Sequence, residues 1–175
     1  MCRSVAGVWP SLETVARRSG CNEGDSAVSI GTPVKDPAIR AELEALIAEH
    51  AYRLDFHLSE NLGDLYTEDG CLIGAGPDCI GREAVNAYGR SRAEARTRRA
   101  RHVATNFRFW EDGADQIRGV CFIMLFRSSG PDLTPAEPIA LADAHDIYRR
   151  EAEGVWRIRE RRIVLSFESE AHKAK

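Results

Sequence analysis

An aspartate near the end of one amphipathic run and a histidine opening an alternating one are the pair in this sequence best suited to joint chemistry. Asp55 follows Leu54 and stands four positions after Ala51, at the border of the apolar stripe of a helix. A carboxylate there needs a partner. His102 opens RHVATNFRFW, where strict alternation puts His102, Ala104, Asn106 and Arg108 on one face and Val103, Thr105, Phe107 and Phe109 on the other. If the polar face turns inward, Asp55 accepts the Nδ1–H of His102, fixes its tautomer and leaves Nε2 as a general base. The residues alone leave a second arrangement open, in which Asp55 salt-bridges near its helix end and His102 is a solvated strand-end residue.

Other groups invite chemistry less directly. His50, Asp55 and His102 together have the composition of a two-histidine, one-carboxylate metal site, but an i, i+5 spacing turns His50 and Asp55 apart around a helix, and neither metal nor cofactor is expected. Arg90, Arg92, Arg96, Arg98, Arg99 and Arg101 form a basic run, read as a solvated face interleaved with Glu94 and neighbouring acids. In the string D-A-H-D, Asp143 and His145 share one strand face and Ala144 and Asp146 the other, so Asp146 is expected to reach a pocket and His145 an interface. Trp156 and Ile158 share parity with each other but not with Arg161, so an unbulged strand cannot send all three inward. Cys71, Cys79 and Cys121 sit in or beside apolar segments and suit small-residue packing.

These residues need elements to position them. Asp36 is a good N-cap with Pro37 at the first helical position, and Ile39, Leu43, Leu46, Ile47, His50 and Leu54 then recur at helical spacing. NLGDLYT, residues 61–67, reads as a short second helix, Glu68-Asp69-Gly70 as a turn into the strand-like CLIGAG, and GREAVNAYGRSRAEA as a third helix. From Arg101 the period changes to two, giving RHVATNFRFW, QIRGVCFIMLFRS, PIALADAHDIYRR and GVWRIRERRIVLSF as extended segments. EDGAD and EAEG are turn-like links, and SGPDLTPAE is a longer loop. Helices followed by an antiparallel meander make an α+β pattern, with helices on one face of a curved sheet.

The chain has 175 residues, a formal charge of −3, 43% hydrophobic and 29% charged residues, which suits one globular domain with room for a core and a small pocket. Residues 1–35, rich in Gly, Ser and Pro, are expected to be a poorly ordered extension, 36–170 the folded domain and 171–175 a tail. The near-neutral charge argues against a nucleic-acid partner. There is no apolar run of membrane-spanning length, and Pro10, Glu13, Arg17 and Arg18 interrupt the only apolar patch near the start, so no membrane association is expected and a cytoplasmic setting is. Five cysteines with no C-x-x-C read as reduced thiols.

A helix followed by LDFHLSEN, then EDG, CIGREAV, RHVATNF and DIYRREAEGVWRIRER, in that order over residues 36–168, resembles the SnoaL-like branch of the nuclear transport factor 2-like superfamily. That resemblance implies a cone-shaped α+β fold with three N-terminal helices packed on a curved, mostly antiparallel sheet. Scytalone dehydratase, bile-acid 7α-dehydratase and hexachlorocyclohexane dehydrochlorinase are the similar enzymes, and in them an Asp-His dyad abstracts a proton during an elimination. Asp55 and His102 match the dyad. His50 stands where these relatives carry a Lys or Tyr that helps the leaving group, and Arg161, five residues after Trp156, matches a cation of the dehydrochlorinase. Cys121 falls where scytalone dehydratase has a second histidine, and Ala100 where the dehydrochlorinase has a cysteine.

The implied activity is a cofactor-independent lyase or isomerase acting on a small, largely apolar cyclic or polyketide-like molecule. His102 and Asp55 would be catalytic, His50 or Tyr52 would protonate the leaving group, and Asn106, Cys121, Asp146 and Arg161 would line the substrate site. The alternative is a non-catalytic binding or accessory subunit of the same fold, such as the small subunit of a ring-hydroxylating dioxygenase. A homodimer or homotrimer through the sheet is expected.

Overall fold

The structure, a computed structural model, describes residues 31–130 and 132–170; the expected extension up to residue 30 and the tail at 171–175 lie outside the described residues. The long helix α1 (Pro37–Asp55) starts where the capping residues predict: Asp36 Oδ1 accepts from the backbone N–H of Ala38 at 2.8 Å, with Pro37 in the first turn. Leu43, Ile47, His50, Leu54 and Asp55 form its buried stripe. Burial of Leu43, Ile47 and Leu54 contributes about 1.5–3 kcal/mol each, before chain entropy is charged against it.

A 3-10 helix (Ser59–Leu65) leads directly into β1 (Tyr66–Ile73), followed by β2 (Cys79–Ile80) and α2 (Arg82–Glu94). The expected turn at Glu68-Asp69-Gly70 is instead part of β1. The pairing of β1 with β6 jumps from Tyr66↔Ile158 to Cys71↔Glu160, so the polar residues occupy an irregularity in a continuous strand. α2 buries Val85, Gly89 and Ala93, a narrow stripe of small residues that lets it lie against the 3-10 helix. Contact there is close: a Cβ at Gly89 would overlap the Ser59 carbonyl oxygen, and Ser59 Oγ donates to the Gly89 carbonyl at 2.8 Å.

The strands β3 (Arg98–Glu111), β4 (Gln116–Ser129), β5 (Ala140–Arg150) and β6 (Trp156–Glu168) form the antiparallel meander, and β1 joins β6 in parallel. The sheet order is β2-β1-β6-β5-β4-β3. Ahead of α1, Pro33 bridges to Trp110, and the Val34 N–H donates to the Phe109 carbonyl, extending the β3 edge.

Two bulges decide which side chains face the helices. In β3 the register passes from Thr105↔Phe122 to Arg108↔Val120, so β3 carries one extra residue there, with Asn106 at φ 56°. Phe107 and Phe109, expected beside Val103 on the outer face, are therefore turned inward; their rings stack 6.4 Å apart, and Phe109 packs edge-on against Tyr148. In β6 the register passes from Ile147↔Glu160 to Tyr148↔Ile158, again with one extra residue on β6. Trp156, Ile158 and Arg161 are consequently all buried, which resolves the parity conflict in their spacing. The aromatic and aliphatic core, including Leu62, Tyr66, Phe109, Ile117, Tyr148 and Ile158, packs between the helices and the inner face of the sheet. No helix among the described residues is long and apolar enough to cross a membrane.

Candidate functional site

Asp55 and His102, 47 positions apart, meet where the end of α1 crosses the start of β3. Asp55 Oδ1 lies 2.6 Å from His102 Nδ1, and its Oδ2 accepts from the His102 backbone N–H at 2.8 Å. Arg101 reinforces the junction: its Nη1 donates to the Asp55 carbonyl at 3.3 Å, and its guanidinium lies over the Phe56 ring. The Asp55 side chain is 6% exposed and that of His102 18%. A carboxylate oxygen accepts, so Nδ1 carries the proton in the neutral ring and Nε2 is the unprotonated nitrogen.

His102 lines a cavity of about 320 Å³ between α1, α2 and the inner face of the sheet. The walls are apolar, supplied by Ile47, Leu54, Leu72, Ile123 and Ile163 with small Ala142 and Ala104. These strands provide space because alanines stand where larger residues would meet the helices: Ala140, Ala142 and Ala144 alternate inward along β5.

Arg161 also lines the cavity and is 1% exposed. Asp146, its register partner on β5, holds it in a fork, with Nε to Oδ1 at 2.9 Å and Nη2 to Oδ2 at 2.7 Å, and Tyr148 donates to the same carboxylate at 2.5 Å. Burial disfavours the guanidinium charge, but Asp146 more than offsets this, so Arg161 stays charged with its pKa raised above the usual arginine value. Two of its five N–H groups face Asp146, which leaves others to address the cavity.

His50 lines the cavity too, and its Nε2 shares a 2.9 Å hydrogen bond with the Tyr66 hydroxyl. Burial, then the nearby charge of Arg161, pushes the His50 pKa well below the usual histidine value. It is therefore neutral at pH 7, able to pass a hydrogen bond but not to act as an imidazolium acid. Burial likewise raises the Tyr66 pKa, which keeps its hydroxyl protonated.

Four of the expected site residues do not line the cavity. Tyr52 points outward, half exposed and stacked on Phe56 at 4.5 Å, because it lies on the solvent side of α1. Asn106 occupies the β3 bulge and is exposed. Cys121 is buried in the hydrophobic core, its thiol pushed up to about 12 by burial. Asp146 does not line the cavity; it acts through Arg161.

Other residues of the site are not evident from the sequence. Tyr66 falls within the expected short helix, and nothing in its neighbourhood marks it as the partner of His50. Arg92 and Arg98, members of the basic run read as a solvated face, border the cavity together with Arg127 of β4. The register offers a signal for the last two, since Arg98 lies four residues from His102 along β3 and Arg127 pairs with the intervening Ala100.

Comparisons with known proteins agree with this architecture. ActVI-ORFA from Streptomyces coelicolor superposes with a TM-score of 0.65 at 19% identity, covering 74% of this chain and 98% of that one. An NTF2-like protein with a cystatin-like fold from Novosphingobium aromaticivorans gives 0.62 at 24% identity, covering 77% and 86%. Aln2 from a Streptomyces species gives 0.62 at 17%, covering 75% and 93%. At these identities the likeness is one of fold. No curated protein matches significantly. The family model of the SnoaL-like domain matches residues 38–162, most of the folded unit including the Asp55–His102 junction, and the chain belongs to that family.

Proposed function

We propose that this protein is a cofactor-independent lyase or isomerase that removes a proton from carbon in a small, largely apolar cyclic or polyketide-like substrate. The observation that carries the reading is the 2.6 Å contact between Asp55 and His102 Nδ1 at the wall of a cavity. His102 Nε2 takes a proton from a carbon next to a carbonyl, and Asp55 stabilises the imidazolium that forms. The electron pair moves to the carbonyl oxygen, whose developing charge is met by Arg161. In an elimination, the enolate collapses to a carbon–carbon double bond and expels a hydroxyl from the next carbon, which takes the proton back from His102 and leaves as water. In an isomerisation the same proton returns to a different carbon. The apolar walls keep competing water away from the enolate.

The test is incubation of the protein in heavy water with a panel of ring-fused β-hydroxy ketones, followed by mass spectrometry. Loss of water or deuterium uptake at the activated carbon, abolished in His102→Ala, is the expected result. Binding of panel members with neither change would assign the cavity to a non-catalytic ligand cup.

A further inference from the structure

The charges around the cavity are one-sided. Arg92, Arg98, Arg127 and Arg161 line it, with no aspartate or glutamate among the lining residues. Arg161 is matched by Asp146. The other three guanidiniums come from different elements, Arg92 from the last turn of α2, Arg98 from the first residue of β3 and Arg127 from the end of β4.

Their positions along the strands place them on one side of the dyad. His102 pairs with Leu125, and the next inward rung pairs Ala100 with Arg127; Arg98 lies one rung further. At about 3.4 Å per residue, Arg98 and His102 are separated by roughly 14 Å of strand. The cavity is thus apolar beside the dyad and cationic toward these strand ends.

These arginines also lack what buried or half-buried arginines normally have. The Nε atoms of Arg92 and Arg98 are both buried without a hydrogen-bond partner. Among the described residues, no ion pair joins Arg92, Arg98 or Arg127 to a carboxylate, in a protein where ten other arginines have one. Arg92 rests over the Tyr88 ring at 4.8 Å, which orients its plane without neutralising it. Arg92 and Arg127 are close enough to Arg98 to lower its pKa, after burial and against the weaker opposing pull of Tyr88 and Asp55. Three like charges at one end of the cavity repel each other at a standing cost, which an anion placed among them would reverse.

We propose that the substrate is an amphipathic anion: an apolar body lies between His102 and Arg161, and a carboxylate or phosphate at its far end is held by Arg92, Arg98 and Arg127. This rests on the cavity being the substrate site, and it names the substrate class. Guanidiniums suit either oxyanion because their paired N–H groups match two oxygens.

The experiment is calorimetric titration of the full chain with three probes of one ring system: 2-naphthoate, 2-naphthyl phosphate and the uncharged 2-naphthamide. At least one anion is expected to bind tenfold or more tightly than the amide, with the advantage shrinking as salt is raised. The stronger of the two anions identifies which headgroup the arginines take. In Arg98→Gln/Arg127→Gln the advantage should fall below threefold, whereas Arg98→Lys/Arg127→Lys, which keeps the charge, should retain most of it; the lysine pair also guards against simple misfolding. His102→Ala should leave the anion preference intact, so failure of the catalytic reading would show separately, as turnover indifferent to His102. Equal binding of amide and anions, no binding of any probe, or an undiminished advantage in the glutamine pair would overturn the proposal.

Discussion

Replacing Asp55 by Asn tests whether the carboxylate selects the histidine tautomer. In the native protein Asp55 accepts two hydrogen bonds from one residue, from His102 Nδ1 at 2.6 Å and from the His102 backbone N–H at 2.8 Å. An amide of the same shape has one accepting oxygen and one donating nitrogen. The backbone N–H can only donate, so the amide oxygen must face it, and the amide NH₂ then faces Nδ1. Nδ1 becomes the acceptor, the ring proton moves to Nε2, and Nε2 can no longer accept one. Exchanging charge-assisted hydrogen bonds of about 1.5–3 kcal/mol for neutral ones of about 0.5–1.5 kcal/mol costs on the order of 1 kcal/mol each, or about 2 kcal/mol for the pair. For a domain of this size that lowers the Tm by roughly 4–8 °C. Long-range nitrogen–proton correlation spectra of ¹⁵N-histidine-labelled protein report which ring nitrogen is protonated, and a thermal melt reports the stability. The reasoning fails if the native ring carries its proton on Nε2, or if Nδ1 stays protonated in the variant. A lower Tm with an unchanged tautomer would make Asp55 a staple between α1 and β3 and nothing more.

Three further outcomes are expected. His50 has a depressed pKa in the folded state, so between the unfolded value near 6.5 and the lower folded value only the unfolded chain takes the proton, and stability falls with pH; from pH 7 to 5.5 the loss is about 1 kcal/mol. Urea unfolding at both pH values should show that part of the loss gone in His50→Gln, and an identical pH dependence in both proteins would contradict the buried neutral ring. Gly89→Ala should lower the Tm although alanine is the better helix former, because the added Cβ would overlap the Ser59 carbonyl oxygen and overpacking costs about 1–3 kcal/mol; an unchanged or higher melt would refute the close approach. Val103, Phe122 and Val164 are exposed on the outer face of the sheet, and light scattering is expected to find a homodimer or homotrimer that Phe122→Asp reduces to monomers; a native protein already monomeric at micromolar concentration would end that expectation.

Periodicity is readable in this chain wherever it is uninterrupted. The 3.6-residue recurrence from Leu43 to Leu54 predicts α1, and the two-residue alternation after Arg101 predicts the four strands of the meander with their ends displaced by only a few residues. Single extra residues are not readable as such. A bulge shifts parity by one, so everything after it changes face, and that is why strict alternation puts Asn106 in the pocket and Phe107 and Phe109 outside it. The signals are nevertheless present. In β3 the inward residues Ala104 and Phe107 are three apart, with an asparagine between them, a residue that tolerates positive φ. In β6 the demand that Trp156, Ile158 and Arg161 all lie inward is itself evidence for the irregularity that the register contains.

The site divides along the same physical line. Asp55 can be located because a carboxylate bordering a buried stripe has few solutions, and His102 because it opens a strand on the matching side. The arginines cannot be located, because a basic run considered alone has an adequate explanation as a solvated face, and Arg96 and Arg101 do stand exposed. What distinguishes Arg92 and Arg98 is contributed by a third arginine, 29 positions beyond Arg98 in sequence but on the neighbouring strand β4, and by the absence of any carboxylate from the cavity lining. That is a property of the assembled enclosure, not of any segment. It also bears on the chemistry, since an anion anchored beyond His102 would hold the apolar body in one orientation and present one carbon to Nε2. In the proposed reaction, such positioning would give the His102 ring a defined target.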